Sequence, residues 1–250
     1  MRAQEQGSGG CSEDLNIQRP HANHKKMGEQ PCANAEVDPC PFEITEPTVL
    51  HKGEWLITRR VNWKQLKSGK TGTWEIAARP LRATKAEVQG VDIIATLSRG
   101  GKKYFVLVKQ FRIPVNAWCL EFPAGLIDPN ETVEESAIRE LNEETGFVAS
   151  RVLGRTRGSQ PLDPGLTDDS VQFVMVEIDG DAPENANPKQ KLDEAESIDV
   201  ILVECDKLLS YLREHESKYQ IEAMLYTFAI GHAMSQSAVF PTLNGVPKSC

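Results

Sequence analysis

Three glutamates stand close together in the segment 139–147, at positions 140, 143 and 144. On a helix, like charges three or four residues apart repel each other by roughly 0.2–0.5 kcal/mol per pair, so this arrangement does not serve stability. Clustered carboxylate oxygens are ligands that Mg²⁺ and Mn²⁺ prefer. Because Mg²⁺ in proteins usually keeps some waters and also binds substrate phosphates, the segment indicates phosphate chemistry.

The same glutamates lie on a predicted helix. Thr132 and Glu135 form a capping box at its start, and Gly146 supplies the left-handed residue at its end. At about 100° per residue, one apolar arc that we expect to face a sheet contains Val133, Ala137, Ile138 and Leu141. Glu140 and Glu144 fall at the edge of this arc. A carboxylate there must be paired, protonated or bound to a metal.

The helix is part of a longer pattern with fixed spacing. From Gly125 the chain reads five residues, Glu131, seven residues, Arg-Glu-Leu, one residue, Glu-Glu, one residue and Gly-Phe. This pattern resembles the complete Nudix box of the Nudix hydrolases, here over residues 125–147. The resemblance implies an α+β protein with the Nudix fold, an α/β/α sandwich around a mixed β-sheet. It also implies an N-terminal antiparallel hairpin that is used in dimerisation.

The resemblance implies a metal-dependent hydrolase. Its metal ligands are expected to be Glu140, Glu144 and the backbone carbonyl of Ala124, holding Mg²⁺ or, as an alternative, Mn²⁺. Arg139 and Glu131 are expected to orient the glutamates. The catalytic residues implied within the box are Arg139, Glu140, Glu143 and Glu144.

Hydrolysis also needs a carboxylate outside the box to position water. In the resembled enzymes this residue lies on a loop before a late strand. Here the segment QKLDEAESIDV offers four acids, Asp193, Glu194, Glu196 and Asp199. Alignment on the strand that follows favours Glu196, as a catalytic residue and a metal ligand, and the other three stay open.

Several stretches outside the box resemble the ADP-sugar diphosphatase branch of the family. They are GEW, GTWE, VLVKQFRIP, CLEFPAGLID, DPGL and GDAPENANPK, spread over residues 50–235. The resemblance implies hydrolysis of ADP-ribose to AMP and ribose 5-phosphate. Two alternatives stay open: hydrolysis of oxidised nucleotides or dinucleoside polyphosphates, and an inactive sensor that binds ADP-ribose.

Two aromatic side chains suit a nucleobase. Trp55 and Trp74 lie on opposite strands of the first predicted hairpin region, and two tryptophans can sandwich a purine, at about 1–3 kcal/mol for a stacked base. The resemblance implies that one tryptophan comes from each subunit of a homodimer with exchanged N-terminal strands. We expect Trp63 and Trp118 to be packing residues instead.

The resemblance also implies contacts for the rest of the substrate. Glu75 is expected at the adenine edge and Asp163 at the terminal ribose. Arg79 and Arg112 are expected to hold the diphosphate, which forked cations do well. Leu126 is expected to touch the substrate.

The elements that position these residues can be predicted from sequence pattern. Residues 1–44 are rich in Gly, Ser, Asn, Gln and Pro and predict a disordered tail. The Nudix domain is expected over 45–240, with clamp and dimerisation strands at 45–85, and a short tail over 241–250. Alternating patterns predict a hairpin over 54–79, and VDIIATL and YFVLVKQF predict a second, central one. Further strands are predicted at 149–156, 171–178 and 197–203, and helices at 205–216 and 220–235.

Composition limits the function classes. The net charge is −8, with 28 basic against 36 acidic residues, and no basic run indicates nucleic-acid binding. No apolar run reaches the ~18 residues of a membrane span. The N-terminus lacks the apolar core of a secretory signal, so we expect a cytoplasmic protein, with the nucleus as the alternative. The cysteine spacing fits no zinc motif.

Overall fold

Two β-sheets carry the predicted functional residues. The computed structural model describes residues 38–80 and 88–237. The expected N-terminal tail lies outside these residues up to position 37, and the expected C-terminal tail over 241–250 lies outside them entirely. Residues 42–44, which were assigned to the N-terminal tail, form a strand.

The first sheet is antiparallel and confirms the predicted hairpin. Its four strands are β1 (Phe42–Ile44), β2 (Thr48–Lys52), β3 (Ile57–Gln65) and β4 (Thr71–Ala78). β3 lies between β4 on one edge and β1 and β2 on the other. Ile57 and Val61 are buried on one face of β3, while Arg60 and Asn62 point to the other face and are exposed. This alternation is what the sequence pattern of a half-buried strand predicts.

The second sheet is mixed and holds the core. Its nine strands are β5 (Gly90–Arg99), β6 (Lys102–Arg112), β7 (Ala117–Glu121), β8 (Ala124–Leu126), β9 (Arg151–Arg155), β10 (Gln160–Pro161), β11 (Ser170–Asp179), β12 (Ile198–Glu204) and β13 (Gln220–Ile221). β5 pairs with β11 in parallel and with β6 in antiparallel register. Gly100 and Gly101, both at positive φ, make the two-residue turn of the β5–β6 hairpin.

Helices cover both faces of the second sheet. They are α1 (Val133–Thr145), α2 (Leu208–His215) and α3 (Ala223–Ser237), with short 3₁₀ turns at Pro183–Asn185 and Cys205–Lys207. α1 packs on one apolar cluster with β5 and β11, and α2 and α3 pack on a second cluster with β6 and β7. The result is the predicted three-layer sandwich. Among the described residues, no helix is both long and apolar enough to cross a bilayer.

The caps of α1 are confirmed, and its predicted buried arc needs one correction. Thr132 and Glu135 form the capping box, and Gly146 ends the helix at φ 73°. Ile138 was predicted to face the sheet, but it is 43 % exposed. The prediction was wrong because Glu144, only 3 % exposed, lies near the centre of the buried arc. Relative to the predicted orientation, α1 is therefore rotated about its axis so that the side with Glu144 faces the sheet.

Candidate active site

Arg139 connects the acidic side chains of α1 and the loop before it. Its Nε and Nη2 donate to Glu131 at 2.7 and 2.8 Å, and its Nη1 donates to Glu140 at 2.8 Å and to Glu143 at 3.0 Å. Nη2 also donates to the carbonyl of Leu126 at 3.0 Å. These bonds lower the pKa of Glu131. One guanidinium thus fixes three carboxylates and the end of β8.

Glu144 lies beside the end of β7–β8, where a backbone ligand was predicted. Its Oε2 accepts a hydrogen bond from Ala124 N at 3.1 Å. Burial raises its pKa to about 8, and the charges of Glu140 and Glu196 add to this effect. Burial also raises the pKa of Glu140 to about 7, against the opposing effect of Arg139. Each carboxylate therefore sits in a place that disfavours its negative charge unless a cation is near.

Gly125 brings Glu140 against the same backbone segment. A Cβ built on Gly125 would lie 1.9 Å from Glu140 Cδ, so the carboxylate rests directly on the glycine. Glu140 and Glu144 therefore both lie against the backbone of residues 124–125. In the described part of the chain, no three or more His, Cys, Asp or Glu side chains converge as a ready-made metal site. This open arrangement fits Mg²⁺, which keeps waters and shares substrate phosphates.

One acid of the loop before β12 acts electrostatically on the two box glutamates. Glu196 contributes to the raised pKa values of both Glu140 and Glu144. Its own Oε2 accepts from Asp193 N at 3.0 Å. Asp199 lies beyond this turn and pairs with Lys109 at 2.5 Å. Of the four open alternatives, Glu196 is the one whose charge acts on both Glu140 and Glu144, and its role stays a prediction.

The sequence around this cluster matches a known domain. The NUDIX domain pattern covers residues 87–224, which is more than half of the chain. The chain belongs to the Nudix family. It is 46 % identical over 193 residues to nudix hydrolase 2 of Caenorhabditis elegans, which covers 77 % of this chain and 86 % of that protein.

Two further similarities refine this placement. ADP-sugar pyrophosphatase of Mus musculus is 33 % identical over 215 residues, covering 84 % of this chain and 97 % of that protein. A crystal structure of an ADP compounds hydrolase superposes with a TM-score of 0.52 at 19 % identity, covering 78 % of this chain and 97 % of that chain. At that identity the superposition speaks for the fold, and it confirms the predicted Nudix fold.

A second acidic cluster adjoins the Nudix box and was not singled out from the sequence. Arg112 forks onto Glu121, with Nε and Nη2 at 2.9 and 2.6 Å from the carboxylate. Asp92 and Glu222 lie close to this pair. Burial raises the pKa of each to about 7, and the charge of Glu121 adds to both shifts. In the sequence, this cluster is indicated by single charged residues within apolar strands, as at Asp92 and Glu121. Nearby on β6, the Oε1 of Gln110 is buried without a hydrogen-bond partner among the described residues.

The loop between β10 and β11 is hydrogen-bonded to β4 and to Arg79, which follows β4. Trp74 Nε1 donates to the carbonyl of Gly165 at 3.2 Å. Arg79 Nε donates to Asp169 at 2.7 Å, and the backbone N of Ala77 donates to Leu166 at 3.0 Å. Asp163, the predicted ribose contact, starts this loop, and its carbonyl accepts two backbone N–H groups within it. Hydrogen bonds therefore connect Trp74 and Arg79 to the loop that contains Asp163.

Other predicted substrate contacts are not brought together within one chain. Glu75 lies on the sheet face opposite Trp74 and pairs with Arg60 at 2.6 Å. Trp55 and Trp74 are 65 % and 52 % exposed; Trp55 lies in the turn between β2 and β3, and Trp74 pairs with Val61 in the middle of β3. Leu126 is half-buried in β8, next to the Nudix helix.

Proposed function

We propose that this Nudix hydrolase cleaves the diphosphate of ADP-sugars, chiefly ADP-ribose, to give AMP and ribose 5-phosphate. The observation that carries the proposal is the contact of Glu140 and Glu144 with the same backbone segment, residues 124–125, together with the effect of the Glu196 charge on both carboxylates. The substrate class is supported by the similarity to mouse ADP-sugar pyrophosphatase over nearly all of that protein's length. Mg²⁺ is the proposed ion, with Mn²⁺ as the alternative.

Each residue of the site has a separate proposed role in hydrolysis. Glu140, Glu144 and the Ala124 carbonyl would hold the divalent cation, which when bound neutralises the diphosphate and lowers the pKa of a bound water. Arg139 keeps Glu140 in place through the 2.8 Å bond. Glu196, which would also be a metal ligand, would position the attacking water and accept its proton at a carboxylate oxygen.

Two arginines serve the diphosphate. Arg112 uses Nε and Nη2 on Glu121, and Arg79 uses Nε on Asp169. In each case a carboxylate sets the direction of the guanidinium, and the outer N–H groups are proposed to bind phosphate oxygens. Both side chains keep more than a third of their surface exposed, so a ligand can reach them.

The adenine clamp is proposed to need a second copy of the chain. Val61 pairs with Trp74 and Ile57 with Ala78, so Trp74 is displaced from Ile57 by four residues of strand, about 13 Å. Trp55 lies in the turn before Ile57, beyond the end of the β3–β4 pairing. Rings on either side of one base must be about 7 Å apart, two contact distances. A homodimer with exchanged N-terminal strands brings Trp55 of one protomer to Trp74 of its partner.

The reaction is tested with a panel of substrates in ¹⁸O-labelled water with Mg²⁺, and products are identified by mass. We expect ADP-ribose to be cleaved to AMP and ribose 5-phosphate, with one labelled oxygen in one product. Cleavage of 8-oxo-dGDP much faster than ADP-ribose would instead assign the protein to oxidised nucleotides. Binding of ADP-ribose without cleavage would identify a sensor.

The metal assignment has its own test on the same helix. Glu144→Gln should lower metal-dependent turnover by several orders of magnitude while the protein stays folded. The control is Glu134→Gln, because Glu134 lies in the first turn of α1 and pairs with Arg155 at 2.6 Å, away from the cluster. Full activity of Glu144→Gln would refute the assignment.

A further inference from the structure

The segment before the Glu196 loop lies directly against the C-terminal end of α1. A Cβ built on Gly146 would lie 2.3 Å from the backbone nitrogen of Lys189. The backbone N of Lys191 donates to the carbonyl of Glu143 at 2.8 Å. Carbonyls in the last turn of a helix have no partner within the helix. Here the segment supplies donors for them and thereby fixes its own path along the Nudix helix.

Gln190 makes the connection from this segment to the far side of the loop. Gln190 lies at the surface, and its side-chain amide Nε2 reaches back to two backbone carbonyls. It donates to Glu144 O at 2.6 Å and to Ile198 O at 3.0 Å. An amide nitrogen carries two N–H groups, so both donors are used. The two carbonyls belong to a proposed metal ligand and to the first residue of β12.

The position of these two carbonyls matters for Glu196. Ile198 is buried and paired with Gln110 of β6, two residues after Glu196. Between residues 191 and 197 the loop contains its own turn, in which Glu196 N donates to Asp193 O at 3.0 Å. The loop therefore has a defined shape of its own, and both of its ends meet at one side chain.

We propose that Gln190 is a positioning residue that sets the distance between Glu196 and the carboxylates of the Nudix helix. The proposal rests on the role given above to Glu196 in placing the attacking water. By joining Glu144 O to Ile198 O, the amide ties the helix that holds Glu144 to the strand that carries Glu196. Displacing a reacting group by about 1 Å can cost on the order of a hundredfold in rate.

The variant Gln190→Met tests the proposal, because methionine keeps the length of the side chain and removes both donors. We expect kcat to fall by about tenfold while KM stays within about twofold, since none of the proposed substrate contacts involves this loop end. The matched control is Lys191→Ala. It removes only the side-chain bond from Nζ to Asn142 Oδ1 at 3.1 Å and keeps the backbone donor, so kcat and KM should stay near those of the wild type.

A double-mutant cycle separates positioning from general loosening of the fold. In a Glu196→Gln background, Gln190→Met should cost less than about twofold in kcat, because the group that it positions is already disabled. The same tenfold loss in that background would overturn the proposal. An unchanged kcat in the single variant, or a change confined to KM, would overturn it as well.

Hydrogen exchange of the amides over 191–198 gives a readout that needs no substrate. Exchange there should be faster in Gln190→Met than in the wild type and unchanged in Lys191→Ala; equal exchange in all three proteins would contradict the positioning role of Gln190. If the wild type fails to cleave ADP-ribose, the proposed function is refuted and the Gln190 proposal is not. The kcat and KM of the Gln190 variants are then measured with whichever phosphoanhydride of the panel is cleaved.

Discussion

At the residue scale, the spacing of the Nudix box is explained by close contacts that few residue types allow. Arg139 bridges Glu131, Glu140 and Glu143, so four charged positions of the pattern form a single network. Gly125 has a different role. It leaves space for a carboxylate where any side chain would collide with it.

Gly125→Ala should abolish activity with little loss of fold. The added methyl group would start 1.9 Å from Glu140 Cδ, so the carboxylate must move away from the proposed cation position. We expect turnover to fall by a hundredfold or more, by the general order of effect for misplaced catalytic groups. Steady-state kinetics and thermal unfolding measure the two quantities.

The control for this variant is Gly231→Ala. Gly231 lies within α3, and a Cβ there meets nothing within 4 Å. This change should leave turnover intact and raise helix stability by up to about 1 kcal/mol. Normal turnover in Gly125→Ala would mean that Glu140 is not a metal ligand in the position described.

Contacts among the box residues could be expected from the sequence because Glu131, Arg139 and Glu140 lie within one short segment. The sequence did not predict their supports from elsewhere in the chain. Asp169 beneath Arg79 and Gln190 between Glu144 and Ile198 are single polar residues in polar loops. Nothing in local sequence distinguishes such a residue from a solvated one, because its role depends on which strand the fold places beside it.

At the element scale, the same contrast separates long strands from short ones. β5, β6 and β11 are long and apolar, and their pattern predicts them. β2 lies within the region 45–85 where strands are expected, but its bounds were not predicted, because its five exposed residues show no alternation of apolar and polar side chains. β8, β10 and β13 have two or three residues each and form by pairing with distant strands. Tertiary context decides such elements.

A further element-scale feature is the carboxylate at the start of α3. Glu222 Oε2 accepts from Leu225 N at 3.3 Å, and burial raises the pKa of Glu222 from its ordinary value of 4.5 to about 7. The folded protein therefore binds more protons than the unfolded chain between these pH values. Protonation of Glu222 therefore contributes to the free energy of unfolding. This contribution is fully present below pH 4.5 and is lost as pH rises through 7.

Glu222→Gln should remove this pH dependence, because glutamine keeps an oxygen for Leu225 N and carries no charge. At pH 8 we expect the variant to exceed the wild type in free energy of unfolding by about 1–2 kcal/mol, with a much smaller difference at pH 5. Urea unfolding at both pH values measures it. Glu214→Gln, at an exposed position of α2, is the control and should show no difference. An equal effect of Glu222→Gln at both pH values would contradict the assignment.

At the scale of the whole molecule, the first sheet exposes more apolar surface than a protein of one chain needs. Phe42, Ile44, Val49, Leu50, Trp55 and Trp74 are all exposed large hydrophobic residues. They lie on or between the strands of one sheet, and exposed apolar residues concentrated in one element are typical of an interaction site. Together with the separation of Trp55 from Trp74, this surface supports the proposed homodimer.

A mixed dimer tests whether the clamp is shared between protomers. Trp55→Ala and Trp74→Ala homodimers should each bind substrate about tenfold to a hundredfold more weakly, the usual effect of losing one stacked ring. The two variants are co-expressed with different affinity tags, and the mixed dimer is purified through both. If the clamp takes one tryptophan from each protomer, one site of this dimer has both rings and the other has neither. We expect about half of wild-type turnover at low substrate concentration.

If both rings come from the same chain, neither site of the mixed dimer is intact, and its turnover stays at the level of the two homodimeric variants. A dimer of two differently tagged Trp55→Ala chains is the control, and failure to isolate any mixed dimer would refute the shared clamp.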